Sequence, residues 1–184
     1  MTWLWIILAV IVILLIWLIV VRNGLVQASN QIEEAYSTMD VYMKKRYDLI
    51  PNLVNTVKGY AAHEKETLLA VEQASMKASH AGSVEEQAKD EEALNGAVKN
   101  LFALAQAYPD LKANQNYLDL QNQLKKIEED IANARKYYNA SVRVYNDKIS
   151  TFPGSIFAGG MHFEKKPYFQ VASEAERQNV NVQF

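Results

Sequence analysis

Nineteen consecutive positions, Trp3 to Val21, carry no polar side chain. At a rise of ~1.5 Å per residue, a helix over them covers roughly 27 Å, about the hydrocarbon thickness of a bilayer. A core helix this long would show a polar stripe. A cleaved leader would carry a basic residue ahead of the apolar run and a small-x-small site behind it, and neither is present. The run therefore predicts a transmembrane anchor over 1–22. Trp3, Trp5 and Trp17 fall near its two ends, where interfacial aromatics collect. It contains no Gly, so the small-xxx-small pairing motif is absent. Asn23-Gly24, directly after the anchor, is the expected break or hinge.

Beyond Gly24 polar residues return and the apolar positions keep helical time. The first run is Ile32, Ala35, Met39 and Met43. A second is Val54, Val57, Ala61, Glu64, Leu68, Val71, Ser75 and Ala78, with a carboxylate on the stripe. A third is Leu94, Val98, Leu101, Ala105 and Tyr108. The longest is Tyr117, Leu120, Leu124, Ile127, Ile131, Ala134, Tyr138, Val142, Tyr145 and Ile149.

Ser83-Val84-Glu85-Glu86 has the form of a capping box. Tyr108-Pro109 and Phe152-Pro153 each end a helix, because proline disfavours the α conformation in the residue before it. Pro51 either kinks one helix or separates two, and length decides between these. A helix from 24 to 79 would run roughly 84 Å, against about 36 Å for 84–107 and about 60 Å for 111–150. A break at Asp48–Asn52 yields elements of comparable length.

The expected architecture is all-α. An N-terminal transmembrane helix, 1–22, precedes an antiparallel up-and-down four-helix bundle over 23–151, whose last helix overhangs the others. An extended C-terminal tail, 152–184, follows. A coiled-coil rod has less support, since charges at the flanking positions are irregular.

Gly154, Gly159 and Gly160 are interleaved with Ile156, Phe157, Met161, Phe163, Tyr168 and Phe169. A solvated tail would be polar, so these aromatics are expected to dock. Residues 152–169 are predicted to fold back over a groove lined by Tyr138, Val142, Tyr145 and Ile149. The stretch from Ser173 to Phe184 is mostly polar and reads as a frayed end or a partner peptide.

Composition narrows the function. Lys and Arg total 19 against 21 Asp and Glu, for a net charge of −2. Phosphate neutralisation cannot drive binding from that balance, so nucleic acid is not an expected partner. With no cysteine, disulfides, thiolate metal sites and a Cys nucleophile are excluded. His63-Glu64-Lys65-Glu66-Thr67 puts Thr67 where a zincin needs its second histidine. The carboxylates Glu33, Glu34, Asp40, Glu64, Glu128 and Glu129 lack the Glu-x-x-His pairs of a dimetal bundle. Phosphate loops and the G-x-S-x-G elbow are absent. No catalytic residue, cofactor or metal is expected.

Arg46, Asp48, Asn52, Glu64, Arg135 and Asn139, with Asn146, lie on or beside the helical seams. They read either as solvated faces with a few interhelical pairs or as a buried polar layer that fixes register, for example Glu64 with Arg135. A charge buried there must have a partner, because an unpaired one costs several kcal/mol.

The segment from Asp40 to Val54, DVYMKKRYDLIPNLV, followed by Val57-Lys58-Gly59-Tyr60-Ala61-Ala62-His63-Glu64, resembles the LemA family. The resemblance continues through Tyr108-Pro109-Asp110-Leu111-Lys112-Ala113, Leu120-Gln121 and Glu128. It resumes at Ala134-Arg135-Lys136-Tyr137-Tyr138-Asn139 and Val144-Tyr145-Asn146, and closes with Phe152-Pro153 and Tyr168-Phe169. It covers nearly the whole chain. It implies a bacterial single-pass membrane protein with a helical-bundle domain and no established enzymatic activity, so it carries no catalytic residues over. A relative takes part in magnetosome membrane formation.

The expected function is a membrane-anchored scaffold or adaptor without catalysis. The alternatives are a self-assembling protein that organises or remodels membrane, and, further off, a membrane hydrolase using Glu64 and His63. Its expected partners are the lipid bilayer, through Trp3–Val21, and an unidentified protein or further copies of the chain. Arg22, Lys44, Lys45 and Arg46 follow the span while the other side has only the α-amino group. The positive-inside rule then places the N-terminus outside the inner (cytoplasmic) membrane and the C-terminal domain in the cytoplasm.

Overall fold

A computed structural model describes residues 2–170. The elements are α1 (Thr2–Lys58), α2 (Lys65–Ser79), α3 (Val84–Ala105), α4 (Pro109–Lys112), α5 (Gln115–Ser150) and α6 (Gly154–Ala158). The described residues contain no strand, and the protein is all-α. The part of the tail beyond Gln170 lies outside the described residues.

Two expected interruptions do not occur. Neither Asn23-Gly24 nor Asp48–Asn52 breaks the chain, and α1 is one helix with Pro51 inside it. Proline in a helix interior costs about 3 kcal/mol through its lost N–H and its ring. Ile50, Leu53, Val54 and Val57 flank Pro51 and are all buried. Each such side chain contributes about 1.5–3 kcal/mol as an upper estimate. Keeping these four in phase outweighs the proline penalty, and Pro51 itself is exposed.

The turn comes later, at Gly59–Glu64. Tyr60 N–H bonds to Val57 O at 3.0 Å and Ala61 N–H to the same carbonyl at 2.9 Å, which tightens and closes α1. Glu64 caps α2 without a side-chain bond. The Ala61 side chain is buried and pins the corner.

The helix starts follow local chemistry. Ser83 Oγ accepts from Glu86 N–H at 3.1 Å, while the Glu86 carboxylate accepts from Gly82 N–H at 3.0 Å. This is a capping box whose return bond lands one residue early. Asn114 Oδ1 accepts from Tyr117 N–H at 3.0 Å and starts α5.

The chain divides into two compact units, Met1–Met39 with Ala134–Pro167, and Asp40–Asn133 with the segment from Tyr168. The second unit has one apolar core. Ile50, Leu53, Val54 and Val57 of α1 join Leu68 and Val71 of α2, Leu94, Val98 and Leu101 of α3, Leu111 of α4, and Tyr117 and Leu124 of α5.

In the first unit, Trp3 to Ile16 of α1 are exposed on every side. From Leu25 onward burial is confined to one stripe: Leu25, Ala28, Ile32, Ala35 and Met39. The unit also buries Ala134, Tyr138, Val142, Tyr145 and Ile149 of α5. Tyr36 meets Tyr138 edge-on with ring centroids 5.8 Å apart, and Lys148 Nζ donates to Gly24 O at 3.2 Å.

Candidate functional site

Two polar arrangements stand out, one in each unit. The first is centred on Arg46, which has no solvent exposure at all. Its position on α1 falls between Met43 and Ile50 on the apolar stripe, so the helix carries its guanidinium into the core. Nη1 donates to Asn95 Oδ1 at 2.7 Å and to Glu128 Oε1 at 2.5 Å. Nη2 lies 3.1 Å from Glu91 Oε2 as an ion pair whose orientation makes no hydrogen bond.

The network extends through Tyr47, whose hydroxyl donates to Glu91 Oε1 and accepts from Gln87 Nε2 at 2.7 Å. Gln87 Nε2 also donates to Ala78 O at 2.9 Å. Burial, and then the adjacent Glu91 charge, push the Tyr47 phenol far above its usual range. It stays protonated and acts as a donor. One turn away, Lys77 Nζ pairs with the buried Asp90 carboxylate at 2.9 Å, and that bond raises the Lys77 ammonium.

The expected polar layer is therefore only partly present. Arg46 is in it, but Asp48 and Asn52 are exposed, and Asp48 pairs with Lys44 on the same helix at 3.4 Å. The uninterrupted α1 explains their exposure. At 3.6 residues per turn, positions 48 and 52 stand about 200° and 240° around the helix from 46. Glu64 sits at the corner before α2, where its carboxylate accepts from Tyr108 Oη at 3.4 Å. Arg135 and Asn139 are half-buried on α5 in the first unit.

Glu91, Asn95, Tyr47 and Gln87 were not anticipated. Extending the α3 stripe backward from Leu94 by three residues and then by four reaches Glu91 and Gln87, both buried. A carboxylate in stripe phase on α3 and an arginine in stripe phase on α1 together form the missed signal.

The second arrangement lies along the last turns of α5. Tyr145 Oη donates to Glu164 O at 3.0 Å, and Tyr138 Oη to Pro167 O at 3.0 Å. Asn146 takes the Lys166 peptide by both its N–H and its C=O, each at 2.9 Å. Residues 163–167 thus run back beside α5 as an extended strap. Of the groove residues named from sequence, Tyr138 and Tyr145 hold the strap while Val142 and Ile149 are buried apolar.

The route into the strap is tight. A Cβ on Gly154 would stand 2.0 Å from Lys148 O, so only glycine fits. After α6, Phe163 N–H bonds to Ala158 O and His162 N–H to Gly159 O, with His162 at φ 58. This is a Schellman ending with histidine where glycine is usual. Gly159 and Gly160, just before this turn, do not take the left-handed conformation.

Chemically both arrangements hold parts together. The acids around Arg46 are engaged by Arg46 or Tyr47, and Asp90 by Lys77. His63 is exposed in the corner before α2. No group of three or more His, Asp or Glu side chains gathers in a metal-binding arrangement among the described residues.

The model of the family described as LemA matches residues 35–184. This chain belongs to the LemA family. The matched span contains the whole Arg46 network and the whole strap. As a LemA-family chain it is 29% identical over 165 residues to Protein LemA of Metamycoplasma hominis, covering 88% of this chain and 74% of that protein. Magnetosome proteins MamQ 1 and MamQ 2 of Paramagnetospirillum magneticum are each 31% identical over 74 residues, 40% of this chain and 27% of theirs. The apolar stretch of α1 precedes the residues that the LemA model matches.

Proposed function

We propose that this LemA-family chain is a membrane-anchored helical scaffold or adaptor that binds other proteins and catalyses no reaction. The observation that carries the reading is the change of surface along α1. Trp3 to Ile16 expose apolar side chains all round, whereas from Leu25 one stripe is buried and the exposed positions are polar apart from Val41 and Pro51. Lipid covers the first kind of surface and protein the second. The helical region after the anchor is read as an up-and-down bundle with partners on its outer faces. Arg22, Lys44 and Lys45 are exposed and favour a cytoplasmic side for that region and an inner-membrane location. Arg46 is buried against acids and adds nothing to that charge bias.

Crosslinkers placed at exposed positions of α2 and α3 in native membranes test the reading. Recurrent adducts with one protein from one face support it. A measured turnover that Glu64→Gln abolishes in a normally folded chain would overturn it in favour of a hydrolase. The likeness to two magnetosome proteins favours a second reading, self-assembly that organises membrane. Rings or filaments of the detergent-solubilised full-length chain under the electron microscope would select it.

A further inference from the structure

We infer that residues 152–157 form a second membrane contact, a short apolar wedge seated in the interfacial layer of a phospholipid bilayer beside the anchor. The inference rests on the anchoring role proposed for Trp3–Val21. Trp17 lies four residues before the end of that run, roughly 6 Å along the helix axis, which is the depth where indoles settle. Its ring stands 6.0 Å from Phe152 and 5.5 Å, edge-on, from Phe157. These contacts tie the depth of the loop to that of the indole. Whatever level Trp17 occupies, Phe152 and Phe157 have their ring centres within 6.0 Å of it.

The side chains at this level are not those of a solvated loop. Phe152 is 72% exposed and Ile156 is 63% exposed. Spaced four apart, they bracket the start of α6. Both are left open by the first unit, and through Trp17 the Phe152 ring joins the apolar surface of α1. An apolar cavity of about 230 Å³ lies between Val20, Gly24, Phe152 and Pro153, with Lys148 at its edge. Arg22, Lys148, Lys165 and Lys166 are exposed in the same unit, alongside the acids Asp147 and Glu164. That composition suits a headgroup layer with anionic lipid. Gly154 and the Lys148–Gly24 bond hold the wedge against α1, so it is presented to the membrane preformed.

The chain has no cysteine, so single labels can be placed cleanly. Full-length Phe152→Cys, Ser155→Cys and Ile156→Cys are labelled with an environment-sensitive fluorophore. They are reconstituted into liposomes of equal parts phosphatidylcholine and phosphatidylglycerol. Val12→Cys reports the anchor and Met76→Cys an exposed site of the second unit. The expected result is blue-shifted emission at 152 and 156. Lipids brominated near the headgroup should quench both, with several-fold less quenching by aqueous iodide than at 76. Position 155 guards against a misfolded 152 or 156 variant and should show the same shallow quenching, and melting temperatures confirm that each variant folds. If position 12 is buried in lipid while 152, 155 and 156 behave like 76, the wedge is overturned and the anchor stands. If position 12 is itself open to iodide, the anchoring role falls and the wedge falls with it.

Discussion

Asn146 grips both main-chain polar groups of Lys166 with the two ends of its own amide, two bonds of 2.9 Å each. Neither bond tolerates a change of side-chain geometry. Asn146→Ala leaves a main-chain donor and acceptor unpaired in a half-buried setting, which costs about 1–3 kcal/mol. Hydrogen exchange is expected to speed up at 163–167 while the second unit is unchanged. Removing 152–184 is expected to lower stability further. An unchanged exchange pattern in the point variant, or unchanged melting of the truncated chain, would show that the strap contributes nothing.

Arg46 supplies a second prediction. Arg46→Ala leaves Glu91, which is fully buried, without its counter-charge, and breaking a buried pair from one side costs about 3–5 kcal/mol. Replacing both partners, Arg46→Leu with Glu91→Leu, removes both fully buried charges together and leaves the Glu128 carboxylate, which is partly exposed. The double variant is expected to be more stable than Arg46→Ala in chemical denaturation. If the double variant is the less stable of the two, the pair does not act as a unit.

The tyrosines predict an alkaline limb. Folding raises the Tyr47 phenol, chiefly by burial and then by Glu91, and burial also raises Tyr117 and Tyr145. A raised acid binds its proton more tightly in the folded state. Its contribution is therefore complete below the unfolded pKa of about 10 and is lost as pH climbs toward the folded value. Stability should fall above about pH 10, and Tyr47→Phe should flatten part of that fall while costing stability at neutral pH. Denaturation series at rising pH check both signs.

The turn after α5 offers an opposed pair. Gly154→Ala places a Cβ against Lys148 O, where backbone must move. A loss of about 1–3 kcal/mol or more is expected. His162→Gly relieves a side chain held at φ 58 and should gain about 1 kcal/mol. Melting temperatures of the two variants should move in opposite directions.

Sequence periodicity reads faces well and corners badly. Ile32, Ala35, Met39 and Met43, and Leu94, Val98, Leu101 and Ala105, are all buried as their spacing predicts. The same cadence hides the corner at Gly59–Glu64. Val57, Ala61, Glu64 and Leu68 keep three-and-four spacing straight through it, so only the lone Gly59 marks the turn. Pro51 gives the opposite error, a strong local signal overruled by the packing on either side of it. Glu91 escaped notice because stripe counting looks for apolar residues, and a buried ion pair is legible only when two helices are compared. Among the tail aromatics, Phe152 and Phe157 lie against Trp17 of α1, because the chain must pass α6 before it turns back along α5.

The strap has a consequence of another kind. The bonds that Tyr138, Tyr145 and Asn146 of α5 make to it end on main-chain atoms, at Glu164, Lys166 and Pro167. The side chains of Glu164, Lys165 and Lys166 are exposed, and these bonds do not use them. Mooring and lettering are thus separate on this segment. Charge or shape can be rewritten at these three positions while the strap stays in place, so the outward message here can change at little cost to the fold.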